Sequence, residues 1–293
     1  MANASRTARE RVLCLGRRTN IVGIATDPVG STGPGCVRPT VIFLNAGVLH
    51  RVGPHRLHVA LARLLAASGF ASLRLDLSGI GDSGVVPDDL TFRASAVADT
   101  RAVMDQLGRE TGAERFVLFG LCSGADNALA TAQSDPRVVG LVLIDPPTYA
   151  TFRSRMRKLA ARIRNVLGVR PAHSTVRSFA LILQRAAVEI AHRLGVRARS
   201  TRDMEAGRQP PPRAQYSALL TQLIERGVDV LSIFSGANGE RFNHADQTFE
   251  AFPGLRGRIQ VAYFPGANHV FTELVQRDNL ISAVRRWCGE RYC

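Results

Sequence analysis

Eight apolar runs, six of them continuous through both faces, restrict this chain to a narrow set of folds. The runs "RVLCLG" and "NIVGIATD" come first, followed by "TVIFLNAG", "ASLRLDLSG", "RFVLFG", "VVGLVLIDPP", "VDVLSIFSG" and "IQVAYFPG". Uninterrupted β-branched and Leu-rich runs of this length read as parallel strands buried on both faces. Between them lie stretches such as "HRLHVALARLLAASG" and "ASAVADTRAVMDQLGRETG", whose apolar residues recur three or four apart and which end in Gly. Strands alternating with helices predict an α/β fold with a mostly parallel, doubly wound sheet.

One interval breaks the alternation. Residues 148–215 hold no convincing strand, while Met156, Leu159, Ile163 and Leu167, and then Phe179, Leu183, Ala186 and Ile190, repeat at helical spacing with Arg on the other faces. "RQPPPR" closes the interval as a stiff, non-helical segment. The expectation is a core built from residues 1–147 and 216–293, with a helical cap inserted between them that serves as a lid.

At 293 residues and 45% hydrophobic, the chain can bury one large core. The formal charge of +14 invites a nucleic-acid reading, yet Lys158 is the only lysine and the arginines are spread along the chain without aromatic interleaving. Nucleic acid is therefore not an expected partner. No run is long and apolar enough for an integral membrane segment, and the start "MANASRTARERV" lacks the apolar centre of a secretory signal, so a cytoplasmic location is expected. Cys14, Cys36, Cys122, Cys288 and Cys293 contain no C-x-x-C pair; free thiols are expected, with neither a metal site nor a disulfide framework. No cofactor is expected either. Gly79-Ile80-Gly81-Asp82-Ser83-Gly84 fits a dinucleotide fingerprint, but Pro87 and two Asp follow, where that site needs a helix N-terminus.

The chemistry is concentrated in Gly120-Leu121-Cys122-Ser123-Gly124, directly after "RFVLFG". A strand, sharp turn and helix display one side chain at the top of the sheet, flanked by Gly two positions away on either side. Gly120 and Gly124 flank Cys122, which makes Ser123 the first residue of the helix, where its N–H can face an oxyanion. Together with "NAGVLHRVGPHRLHVALARLLAASGFASLRLDLSGIGDSG" and "GLCSGADNA", the chain resembles the α/β-hydrolases, and within them the small bacterial hydrolases associated with exosortase and exopolysaccharide systems. The G-x-C-x-G elbow is similar to those of dienelactone hydrolases and polyhydroxyalkanoate synthases, and implies a cysteine nucleophile.

A thiol of ordinary pKa needs a base. His269, in "VAYFPGANHVFTE", lies after the last strand, where the resembled fold carries its catalytic histidine. The third member departs from the family pattern. Where an Asp is expected after "VDVLSIF", the chain reads Ser235-Gly236-Ala237-Asn238-Gly239-Glu240; Asn238 takes the expected place, Glu240 lies within reach, Asp246 is a weaker choice, and Asp145 would be sought next. The oxyanion hole is expected from the N–H groups of Ser123 and Val48, with Gly47 as the fallback for Val48. The expected activity is cleavage or transfer of an acyl group from an ester or thioester, free or carrier-bound, through an acyl-cysteine. The missing carboxylate at 238 keeps a second expectation open, a non-catalytic binding or scaffold protein of the same fold.

Overall fold

A computed structural model describes residues 8–16, 20–29, 37–87, 89–166, 210–238 and 242–292. All eight apolar runs are strands of one sheet: β1 (Ala8–Leu15), β2 (Ile21–Pro28), β3 (Thr40–Phe43), β4 (Ser72–Leu75), β5 (Phe116–Leu121), β6 (Val138–Ile144), β7 (Asp229–Ser235) and β8 (Gln260–Phe264). Their spatial order is β1-β2-β4-β3-β5-β6-β7-β8. The pairs β1/β2 and β2/β4 are antiparallel, and every later pair is parallel. β1, at the edge, is only partly buried, whereas every residue of β5 is buried, which is why its run is uniformly apolar.

The helices are α1 (Leu57–Ala67), α2 (Phe92–Thr111), α3 (Ser123–Ser134), α4 (Phe152–Val166), α5 (Arg213–Glu225), α6 (Gln247–Ala251) and α7 (Leu274–Tyr292). Thr91 starts α2 by accepting the Ala94 N–H, and Gly112, in the left-handed region at φ 72°, ends it. Two apolar layers sandwich the sheet. One gathers Met104, Leu129, Tyr216 and Leu220 from α2, α3 and α5; the other gathers Leu61, Leu65, Val284 and Trp287 from α1 and α7. Each large side chain buried this way contributes about 1.5–3 kcal/mol.

The chain divides into two compact units, Met1–Ala150 with Pro211–Cys293, and Thr151–Pro210. In the second unit only α4 and its entry are described; the helical repeat expected at Phe179 to Ile190 lies outside the described residues. Among the described residues no helix is long and apolar enough to cross a membrane.

Candidate active site

Three strand ends meet at one point of the sheet's carboxyl edge. β5 ends at Leu121 and passes into α3 through Cys122, whose φ of 56° and ψ of −118° mark a strained elbow. The two flanking glycines make this turn possible. A side chain on Gly120 would run into the Gly124 backbone, and one on Gly124 would come within 2.7 Å of the Asn45 carbonyl. The elbow is therefore packed against the first helical turn and against the loop after β3, and only hydrogen fits at both places.

The neighbouring strand ends supply the rest. Cys122 N–H donates to the Ile144 carbonyl at 3.0 Å, and the Asp145 N–H donates to the Ile233 carbonyl at 2.8 Å. Asp145, at φ 48°, thus stands between the ends of β5 and β7. Its buried carboxylate accepts hydrogen bonds from Ser235 N–H at 2.8 Å, from Ser235 Oγ–H at 2.7 Å and from His269 Nδ1 at 2.6 Å. With Nδ1 engaged there, Nε2 is the ring nitrogen left for the hydrogen bond between His269 and Cys122.

Burial opposes a positive charge on His269. The hydrogen bonds to Asp145 and Cys122, with the negative charge of both partners, outweigh it and raise the imidazole from 6.5 to about 10. An imidazolium retained beside a sulfur is the partner that stabilises a thiolate.

The expected partners of His269 were Asn238 and Glu240; the carboxylate found on its Nδ1 is that of Asp145. The residue at the β7 end that touches the acid is Ser235, and it does so as a donor. Asn238 ends a short 3-10 turn, Gly236–Asn238, while Glu240 lies outside the described residues. Asp246 sits 3.4 Å from Arg256 on the surface. The available signal was the strand "VVGLVLID", which ends in an acid one position beyond the core, beside the nucleophile strand.

The loop after β3 lies over the start of α3. Gly47 N–H donates to Ser123 Oγ at 2.7 Å, so the Ser123 hydroxyl ties this loop to the helix. Helical bonding begins with Ala125 and Asp126 donating to the Cys122 carbonyl, which leaves the Ser123 N–H ahead of the ladder at the helix N-terminus. Val48 is exposed.

The loop is held from beneath by Asp76. Its carboxylate accepts the Asn45 side-chain N–H at 3.0 Å and the Arg51 N–H at 2.6 Å, and pairs with the Arg51 guanidinium. The glycine-rich stretch after β4 wraps this group: Gly81, at φ 55°, leaves no room for a Cβ beside the Asp76 carboxylate. The dinucleotide-like spacing is thus a turn built around an aspartate. Among the described residues one group has metal-ligand spacing, His50, Asp76 and Asp82. The Arg51 guanidinium bonds all three, so the place of a cation is taken by the protein's own charge.

The other histidines have different surroundings. His58 is wholly buried between Phe43 and Phe119, which pushes its pKa down to about 4 and keeps it neutral. His244 Nδ1 lies 2.8 Å from Asn243 Oδ1. His173 and His192 lie outside the described residues. Two residues beyond Asp145 begins a small recess lined by Tyr149, Tyr216, Phe234, Phe242 and Phe252.

Known proteins with similar features fit this architecture. The family model described as serine aminopeptidase, S33 (Hydrolase_4) matches residues 46–223. No curated protein matches. An esterase of Pyrococcus furiosus is similar in structure, with a TM-score of 0.54 at 15% identity over 100% of this chain and 96% of its own. So is a thermophilic esterase of Thermogutta terrifontis, with a TM-score of 0.54 at 18% identity over 98% of this chain and 100% of its own. A serine hydrolase without a lid, from Xanthomonas campestris, gives 0.50 at 16% identity over 96% and 95%. At such identities the likeness shows the fold alone, and the family rests on the sequence model. With an eight-stranded sheet of this order, an elbow after β5 and a match over more than half its length, the chain belongs to the Hydrolase_4 family of α/β-hydrolases.

Proposed function

We propose that the protein is an acyl hydrolase that works through Cys122 as nucleophile, with His269 as acid and base and Asp145 as the group that orients the imidazole. The observation carrying this reading is that His269 bridges Asp145 and Cys122. The thiol proton of Cys122 passes to His269 Nε2. The sulfur attacks the carbonyl carbon of an ester or thioester, and the carbonyl π pair moves to oxygen. The N–H groups of Ser123 and Val48 hold that oxyanion; the engagement of the Gly47 N–H by Ser123 Oγ favours Val48 over the fallback. His269 then gives its proton to the leaving oxygen or sulfur, leaving an acyl-cysteine. Water, deprotonated by His269, attacks the same carbon, and the thiolate departs.

An alcohol or amine in place of that water would make the same site an acyltransferase. A thioester substrate, free or on a carrier, suits the cysteine because the exchange of one sulfur for another is close to balanced. The scaffold reading drew its support from the absent carboxylate at 238, and the carboxylate of Asp145 on His269 removes that support.

Intact-mass spectrometry after incubation with p-nitrophenyl acetate and with a panel of short acyl-thioesters tests the reading. One acyl group should appear on Cys122, persist longer in His269→Gln, and be absent in Cys122→Ala. Acylation at Ser123, or turnover that survives Cys122→Ala, overturns it.

A further inference from the structure

α4 carries its apolar residues on the wrong side for a helix of a soluble core. At about 100° per residue, Phe152, Met156, Leu159 and Ile163 fall in one stripe about 60° wide. All four are exposed, Phe152 to 81% and the others to nearly half. The shielded side is the one with small residues: Ser154 is buried and Ala161 half-buried. The helix is firmly started there, since Thr151 N–H donates to Ser154 Oγ at 2.8 Å and Ser154 N–H to Thr151 Oγ1 at 3.1 Å, a reciprocal cap.

Its charge is as one-sided as its apolarity. The fifteen residues of α4 include Arg153, Arg155, Arg157, Lys158, Arg162 and Arg164, and no Asp or Glu. On the helical projection Arg155 flanks the apolar stripe on one side and Arg153 on the other, with Arg157 and Lys158 further round. A narrow apolar stripe bordered by long cationic side chains matches the boundary between acyl chains and anionic headgroups. The stripe enters the hydrocarbon edge while the Arg stems lie along it and their guanidinium groups reach phosphate. A protein partner of ordinary composition would have to offer negative charge along a helix about 22 Å long that carries six basic residues and no acidic one. A bilayer rich in anionic lipid offers that charge everywhere.

We propose that α4 is an interfacial helix that docks the protein on the surface of a membrane containing anionic lipid, without spanning it. The inference is independent of the chemistry at Cys122.

Co-sedimentation of the full chain with vesicles tests it. Binding to phosphatidylcholine vesicles carrying about 30 mol% phosphatidylserine should exceed binding to pure phosphatidylcholine by about tenfold or more, and fall steeply when NaCl is raised to about 0.5 M. Phe152→Ser with Leu159→Ser, and separately Arg155→Glu with Arg157→Glu, should each abolish binding while leaving the far-UV circular dichroism spectrum and the urea midpoint unchanged, which verifies folding. In Leu159→Trp, the emission of the new indole should shift to shorter wavelength on anionic vesicles only. Equal binding to neutral vesicles, no binding to either kind, or binding unaffected by both pairs of substitutions overturns the proposal. So does a Leu159→Trp emission already at short wavelength without lipid, which would mean the stripe is covered by the chain itself. A concentration-dependent dimer lost in the Phe152→Ser, Leu159→Ser variant would assign the face to a second copy and likewise overturn it.

Discussion

The Asp145 carboxylate lies 2.6 Å from His269 Nδ1, across 124 residues of sequence, and it reaches the histidine from the end of β6 and not from the β7 loop. Asp145→Asn should lower kcat roughly 100- to 10,000-fold with little change in KM, since an amide in place of the carboxylate favours the wrong imidazole tautomer. The alkaline limb of the pH profile should move to lower pH, because His269 loses the charge that holds its proton. Asn238→Ala should cost less than about threefold. Steady-state kinetics across pH separate the two positions, and equal losses would remove Asp145 from its role.

Cys122→Ala should abolish turnover, whereas Ser123→Ala, which keeps its backbone N–H but loses the tie to Gly47, should cost less than about tenfold. Iodoacetamide labelling followed by peptide mapping gives an independent measure. Cys122 should react below pH 8 ahead of buried Cys288, and its preference should weaken in His269→Gln.

Ser235 gives the buried Asp145 two hydrogen bonds, one from the backbone and one from the hydroxyl. Ser235→Ala removes only the second. A hydrogen bond to a buried charge is worth about 1.5–3 kcal/mol, so the urea midpoint should fall by an equivalent amount. The catalytic effect should appear in kcat and not in KM, since the aspartate loses definition while the substrate-binding surface is untouched. A variant as stable and as fast as the parent would show that the hydroxyl contributes nothing.

Folded His269 binds its proton more tightly than the unfolded chain does, with a pKa of about 10 against 6.5. A raised folded value stabilises the protein fully below pH 6.5, and the contribution disappears as pH rises through about 10. Denaturation midpoints measured at pH 6, 8 and 10 should therefore decline more steeply in the parent than in His269→Gln. Parallel declines would mean the imidazolium is not stabilised by its neighbours.

Gly120→Ala should be among the most damaging single changes in the core, because its methyl would meet the backbone of Gly124 and Ala125, which cannot yield without dismantling the elbow. A loss above about 3 kcal/mol, or failure to accumulate as soluble protein, is expected. Gly254→Ala, with open space around it, is the matched control.

Much of this molecule was legible in one dimension. All eight strands announced themselves as apolar runs, and β5 most plainly, because a strand buried on both faces must be apolar at every position. Cys122 was legible through its glycines, since the elbow's backbone admits no other residue at Gly120 or Gly124, and His269 through its place after the last strand. These are local demands, written within a few residues of where they act. The partner of His269 was not local. Two acceptors stood close to the expected place along the chain, Asn238 and Glu240, while Asp145 stood on another strand with the sequence of an ordinary strand end. Only the parallel register, which sets Ile144 beside both Leu121 and Ile233, brings that carboxylate between the nucleophile and the β7 end. The outward stripe of α4 obeys the same division. Its helical period could be read from Met156, Leu159 and Ile163, but a period has no direction, and only three dimensions show that this stripe is exposed while Ser154 is buried.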